Sequence, residues 1–499
     1  MKRKILSIAS FILLPFTPFS FVKAETNTLP NERNITLPEV IALARTQSVD
    51  AAVALNELKT AYWEYRTFRA DLLPEINFTG SLPNYMKSYS SYQNADGSFS
   101  FVRNNTLGVS GELSIEQNIW FTGGKISLTS SLDFLKQLGT NGYKQFMSVP
   151  VSLELTQPIF GVNNMKWNKR IEPIRYAEAK ATFISSTEEV TMKAINYFFQ
   201  LLLAKEALST AKQNKENAER LYQVAQAKRQ MGQISENDLL QLKLNTLQGQ
   251  ADVTTAESNL KARMFQLRSF IGASEQEELN PILPANVPQI NIRYEQVLAK
   301  ALERNSFSQS IRRRQLEADY QVATAKGNLR SIDLFASIGY TGQHNKLSSA
   351  YQDLLDNQIV QIGVKIPILD WGKRRGKVRV AKSNREVTLA KLRQEQMDFN
   401  QDIFLLVANF NNQAQQLEIA QEADLIAQRR YNTSVETFMI GRISTLDLND
   451  AQQSKDEARQ THISELYSYW YYFYQLRSLT LWDFERNEEL TTDFEAVIK

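Results

Sequence analysis

Apolar and polar positions run through the same succession twice. Val149, Val151, Leu153 and Leu155 alternate with Pro150, Ser152, Glu154 and Thr156, the period of two of a strand with one apolar and one polar face. Gln157-Pro158-Ile159-Phe160 ends this run, and from about Asn168 to Met231 the pattern is helical, with no proline after Pro173. At 1.5 Å per residue such a helix reaches roughly 95 Å, several times the ordinary globular length. Gly232, Gln233, Ile234 and Ser235 turn the chain, and Asp238 opens a return helix to about Phe270. The second copy matches. Val360, Ile362, Val364 and Ile366 alternate, Pro367-Ile368 closes the strand, a helix is predicted from about Gly376 to Met439, Gly441, Arg442, Ile443 and Ser444 turn, and Asp447 starts the return. An internal repeat of roughly 200 residues is the strongest pattern in the chain.

Another helix and strand precede each of these units. Thr36 and Glu39 have the spacing of a capping box with Pro38 in the first turn, and one helix is expected from Pro38 to about Asp71, with a counterpart from Tyr294 to Asn328. Strands follow, with Ile76, Phe78, Gly80 and Leu82 on one face of the first and Ile332, Leu334, Ala336, Ile338 and Tyr340 on one face of the second. The chain divides into a secretory leader (1–24), a polar leader (25–35), a first repeat (36–271), a linker marked by Pro281, Pro284 and Pro288 (272–289), a second repeat (290–481) and a C-terminal tail (482–499). The first repeat holds an addition: Leu107 to Ile115 and Ile126 to Phe134 alternate on either side of Phe121-Thr122-Gly123-Gly124. This is an inserted hairpin over about 107–134. The pattern leaves open whether it joins the main sheet. Tyr85 to Asn105 and Gln343 to Asn357 read as polar, turn-rich loops.

Within the long helices, Ala204, Ala207, Ala211, Asn214, Ala218, Leu221 and Ala225 keep a 3-4 spacing, as do Leu406, Phe410, Gln413, Leu417, Ala420, Asp424, Ala427 and Tyr431. These are coiled-coil seams, and alanine lets helices approach closely. The polar faces are either solvated or line a water-filled passage. Strand number favours the passage: four strands, or six with the insertion, cannot close a barrel, and open edges cannot sit in lipid. If the strands cross a membrane, several chains share one barrel.

Charge and composition narrow the function. Lys2, Arg3 and Lys4, an apolar run and Val22-Lys23-Ala24 have the form of a cleaved signal. Four of the 57 basic side chains lie there, so the mature chain carries 53 against 54 acids, a net charge of about −1. Nucleic-acid binding loses its electrostatic basis. With no cysteine and only His344 and His462, widely separated, the chain shows no spacing for a metal, a cofactor or a nucleophile–base pair, and an enzyme is not expected. No mature segment is apolar over ~18 residues, which leaves strands as the way to span a bilayer. Trp120, Phe121, Phe160, Trp167 and Trp371 near the strand ends are either an interfacial belt or packing between sheet and helices. Tyr467, Tyr469, Trp470, Tyr471, Tyr472, Phe473 and Tyr474 are too dense for one helix face and read as packing.

Thr36-Leu37-Pro38-Glu39, Leu73-Pro74-Glu75-Ile76, Gln157-Pro158-Ile159-Phe160, Ile366-Pro367-Ile368 and the two glycine turns with downstream aspartates, in this order and duplicated, resemble the TolC family of outer-membrane efflux and secretion ducts. The resemblance implies an α+β membrane protein of two tandem repeats, a homotrimer whose strands share one outer-membrane barrel of 12 or 18 strands. Its coiled-coil helices would form a periplasmic tunnel meeting an adaptor (membrane-fusion) protein and an inner-membrane pump. It also implies an entrance ring of aspartates, matched here by Asp447 and Asp450 on one helix face, with Asp238 as the weaker first-repeat counterpart, since Gln241 holds the second position there; the alternative for these aspartates is capping of the return helix and pairing with its dipole. Phe438 stands where the family's closing network has a tyrosine, and Arg442 is displaced by one residue. The tip turns, Gly232, Gln233, Ile234, Ser235, Gly441, Ile443 and Ser444, would contact the adaptor. The competing reading is a periplasmic adaptor or scaffold, although two full repeats with paired strands are more than its usual single hairpin.

Overall fold

The computed structural model describes residues 31–498 apart from 140, 141, 275, 285, 286, 289, 330 and 366–368. The secretory leader and the Ile366-Pro367-Ile368 strand exit lie outside the described residues. In chain order come β1 (Asn31–Ile35), α1 (Leu37–Gln47), α2 (Val49–Ala70), β2 (Glu75–Gln93), β3 (Phe99–Ile119), β4 (Gly124–Gln137), β5 (Lys144–Pro158), α3 (Asn164–Gln230), α4 (Glu236–Ile271) and β6 (Glu277–Pro281). The second copy supplies α5 (Tyr294–Arg304), α6 (Ser306–Gly327), β7 (Ser331–His344), β8 (Leu355–Lys365), α7 (Lys373–Met439) and α8 (Thr445–Thr480). Strands β9 (Trp482–Asp483) and β10 (Glu488–Glu489) and helix α9 (Phe494–Ile498) follow. Helices of 11, 22, 67 and 36 residues occur in that order in both repeats.

The sheet runs β2-β3-β4-β5-β7-β8, so the inserted hairpin is part of it and the strands on either side pair antiparallel throughout. Register sorts the two faces. Ile76, Ile115, Leu128, Leu153 and Ile338 form one row across five strands, and all five are exposed. The neighbouring row on the other face is Glu75, Glu116, Ser127, Glu154 and Ser337. An apolar face turned outward and a polar face behind it is the alternation of a membrane barrel wall. The expected loop at Tyr85–Asn105 is instead the far end of the β2–β3 hairpin, closed by a turn in which Asn94 bonds Ser98. A bulge between Ser81 and Asn84 shifts the alternation and hid the strand.

The helices expected from Pro38 and Tyr294 each break in two. Ser48 and Asn305 take extended backbone angles there and cap the following helix, Ser48 accepting from the Ala51 amide and Asn305 from the Phe307 amide. Asn305 is buried, and its Nδ2 donates to the Leu479 carbonyl. Asn31–Ile35, read as polar leader, is a strand paired in parallel with Glu277–Pro281 of the linker.

The core sits midway along the long helices. Phe198, Phe199, Leu201 and Leu202 of α3, Phe410 of α7, and Tyr469 and Phe473 of α8 pack there with Ile35, Val297 and Ala301. The tyrosine-rich stretch is thus core packing: the Phe410 and Tyr469 rings lie 5.2 Å apart, and the Tyr469 hydroxyl donates to the Pro288 carbonyl. Among the described residues no helix is long and apolar enough to cross a membrane.

Candidate functional site

The four long helices converge on two turns of one design. Each long helix ends in a Schellman arrangement, with Gln233 N donating to Lys228 O (2.9 Å) and Arg442 N to Thr437 O (3.1 Å). Gly232 (φ 73°) and Gly441 (φ 76°) supply the left-handed residue. Three residues later Ser235 and Ser444 cap the return helices. The Ser235 hydroxyl donates to Asp238 Oδ2 (2.7 Å) and accepts from the Asp238 amide (3.1 Å), and Ser444 does the same with Asp447 (2.7 and 3.2 Å). Glycine, two residues, serine, two residues, aspartate is therefore one structural unit that reverses the chain and starts a helix.

Asp447 is exposed, and the Ser444 hydroxyl and amide hold its carboxyl below the usual aspartate range. Asp450 lies one turn on, exposed, paired to Arg430 of α7 at 2.5 Å, while Arg430 also donates to Ser454 (3.1 Å). Arg430 was not singled out in the sequence; roughly equal distances on either side of the Gly441 turn could have found it. Asp238 is half-buried in its own cap, and Arg442 is exposed without an ion pair among the described residues. Phe438 turns inward to pack with Leu221, Ala225, Leu242, Tyr431, Leu448 and Ala451, and Lys228 Nζ lies 5.6 Å from its ring. A groove of about 560 Å³ separates the two turns, lined by Lys228, Gln233, Asp238, Phe438, Gly441 and Ser444 among others.

Higher up, the seams take two forms. On α7 the polar members are each satisfied inside: Gln413 donates to the Glu465 carbonyl (3.0 Å), Asp424 accepts from Arg459 (3.1 Å) and contacts His462 (3.2 Å), and the Tyr431 hydroxyl accepts from Asn217 (2.9 Å). On α3 Ala204 and Ala225 are buried in the packing as expected, and the alanines between them are not. Ala207, Ala211 and Ala218 line a groove of about 500 Å³ between α3, α4 and α8, edged by Glu206, Asn214, Asp252, Asp456 and Arg459. Close approach happens instead at Gly249 of α4, where an added Cβ would sit 3.1 Å from the Lys215 backbone. Among the described residues no group of three or more His, Asp or Glu could hold a metal ion.

A six-stranded sheet with an apolar outer face, carried on two helical hairpins whose long arms reach about 100 Å, defines a class: a β-barrel wall with a tunnel wall beneath it. Residues 40–273 and 297–480 match the family described as outer membrane efflux protein, so the chain belongs to that family. Solved structures share the fold at low identity. The outer membrane channel CmeC of Campylobacter jejuni is similar at a TM-score of 0.65 and 17% identity, covering 98% of this chain and 96% of that one. The outer-membrane channel OprN gives 0.63 and 14%, with 89% of each chain covered. The open-state MtrE channel of Neisseria gonorrhoeae gives 0.59 and 14%, with 91% of each. No curated protein matches. The protein is a TolC-family outer-membrane channel of tripartite export systems, with its six-stranded sheet in the outer membrane and its helices in the periplasm. The adaptor reading gives way to it, since the match spans both repeats.

Proposed function

We propose that three copies share one closed barrel of eighteen strands and one helical tunnel, a passive duct rather than an enzyme, which receives its substrates from a periplasmic adaptor and an inner-membrane pump. The observation that carries this is a molecule unfinished along two matching edges. Strands β2 and β8 each pair on one side only, and unpaired edges are not tolerated in lipid. The helices repeat the situation, packed in the row α4, α3, α8, α7. On the outer members Leu240, Leu244 and Leu247 of α4 and Ile419, Leu425 and Ile426 of α7 are more than half exposed. Edges that differ, one from each repeat, join head to tail and close by rotation into a ring.

In that ring Asp447 and Asp450 face the narrow end, with Asp238 beside them, and favour cations. Phe438 and Arg442 frame it. The exposed turns Gly232–Ser235 and Gly441–Ser444, with the groove between them, take the adaptor. The chain has no cysteine, so Leu247→Cys with Ile426→Cys gives a clean test. Oxidation in the outer membrane yields a ladder ending at three chains; a product confined to one chain refutes the ring.

A further inference from the structure

We propose that the basic stripe opening α7 holds anionic phospholipid headgroups against the periplasmic rim of the barrel. Between Trp371 and Lys382 the chain carries Lys373, Arg374, Arg375, Lys377, Arg379 and Lys382 and no acid. Arg374 is occupied, donating to the carbonyls of Asn328 and Leu329 at 3.2 Å each. The other five are exposed and have no ion-pair partner among the described residues. Arg375, Arg379 and Lys382 follow at helical spacings of four and three and share one flank, about a third of a turn from the side on which Val380 and Val387 are exposed. Like charges at that spacing repel, and the positive end of the helix dipole repels them further. Asp370, just ahead of the stripe, accepts from the Gly372 and Arg374 amides and offsets the helix dipole; the five exposed cations themselves have no ion-pair partner among the described residues, so the anion that balances them comes from outside the chain.

Position identifies the anion. Strand β8 ends at Lys365, and the apolar face of its sheet meets acyl chains. Between sheet and stripe stand Leu369, 69% exposed, and Trp371, 89% exposed. The first repeat is built alike: α3 opens with Lys166, Lys169 and Arg170 and no acid in its first turn, and Lys169 Nζ lies 3.4 Å over the Trp120 ring. Apolar strands, then exposed indoles, then cations, is the order of a surface passing from hydrocarbon through the interface to headgroups. A phosphodiester of an anionic lipid fits this continuity better than free phosphate does.

The inference rests on the sheet's apolar face meeting lipid, and one experiment separates the two. Protein reconstituted with brominated phosphatidylglycerol or brominated phosphatidylcholine is compared with its Trp371→Phe variant, so that quenching of Trp371 alone is read. Phosphatidylglycerol is expected to be favoured at Trp371 by tenfold or more at low salt, each cation giving about five-fold. Arg375→Gln/Arg379→Gln/Lys382→Gln should bring the ratio close to one while leaving the detergent-extracted mass unchanged; the triple lysine/arginine exchange R375K/R379K/K382R should retain it. Equal quenching by both lipids overturns the inference. So does a preference that survives the triple variant, whether that variant changes conductance, as a tunnel-lining stripe would, or sedimentation with peptidoglycan. No quenching by either lipid overturns the membrane face itself.

Discussion

Glu188 offers the most demanding test of how the two repeats are joined. It is 3% exposed, on α3, and each carboxylate oxygen has its own guanidinium: Arg45 of α1 at 2.7 Å and Arg477 of α8 at 3.3 Å. Arg45 also donates to Thr191 (2.8 Å), and Arg477 is shared with Asp483, itself buried at the start of the C-terminal segment. Glu188→Gln keeps the volume but leaves one acceptor for two cations and turns an amide donor against the other. Removing one partner of a buried pair costs about 3–5 kcal/mol. Arg45, with a side chain 31% exposed, recovers water, and Arg477 retains Asp483, so the lower end, about 3 kcal/mol, is expected. Lys193→Ala breaks the Lys193–Asp50 pair, which is equally short at 2.6 Å but 58% and 41% exposed, and should cost less than about 1 kcal/mol. Denaturant midpoints in mild detergent, followed by circular dichroism, compare the two variants directly. If Glu188→Gln and Lys193→Ala lose the same amount, the buried charge network does not hold the repeats together.

At the tip, Asp447→Asn with Asp450→Asn is expected to lower cation over anion permeability several-fold in bilayer recordings, the more so because Arg430 is then left unpaired; unchanged selectivity removes these residues from the entrance. Because the Ser444 hydroxyl and amide depress the Asp447 pKa, the cap is complete above about pH 4 and is lost as pH falls through the depressed value. Hydrogen exchange at the start of α8 should therefore rise in acid, whereas Ser444→Ala should raise it about five-fold already at neutral pH, the equivalent of one lost N-cap.

Where contacts are local, the sequence was readable. Both long helices begin and end within about four residues of where periodicity places them, because caps, glycine turns and seams are set by neighbours along the chain. The long-range features were less so. Nothing in Asn31–Ile35, a polar pentapeptide, announces a strand, since its partner lies in the linker more than 240 residues away. The breaks at Ser48 and Asn305 fall at residues that a helix tolerates, and the second is fixed by a bond to Leu479. Membership of the hairpin in the sheet depends on β4 meeting β5, a pairing that alternation cannot reveal. At the tip, the aspartates were visible as a repeated motif with capping as one of its two readings, but their serine partners and the Arg430 pair came only with the structure.

The mass of the protein extracted from outer membranes in mild detergent tests the shared barrel most directly. Three chains of 57.1 kDa, less any cleaved leader, in a particle that needs detergent is the result predicted. A single chain, soluble in the periplasm without detergent, would mean that both open edges are ordinary surface and that the duct does not exist.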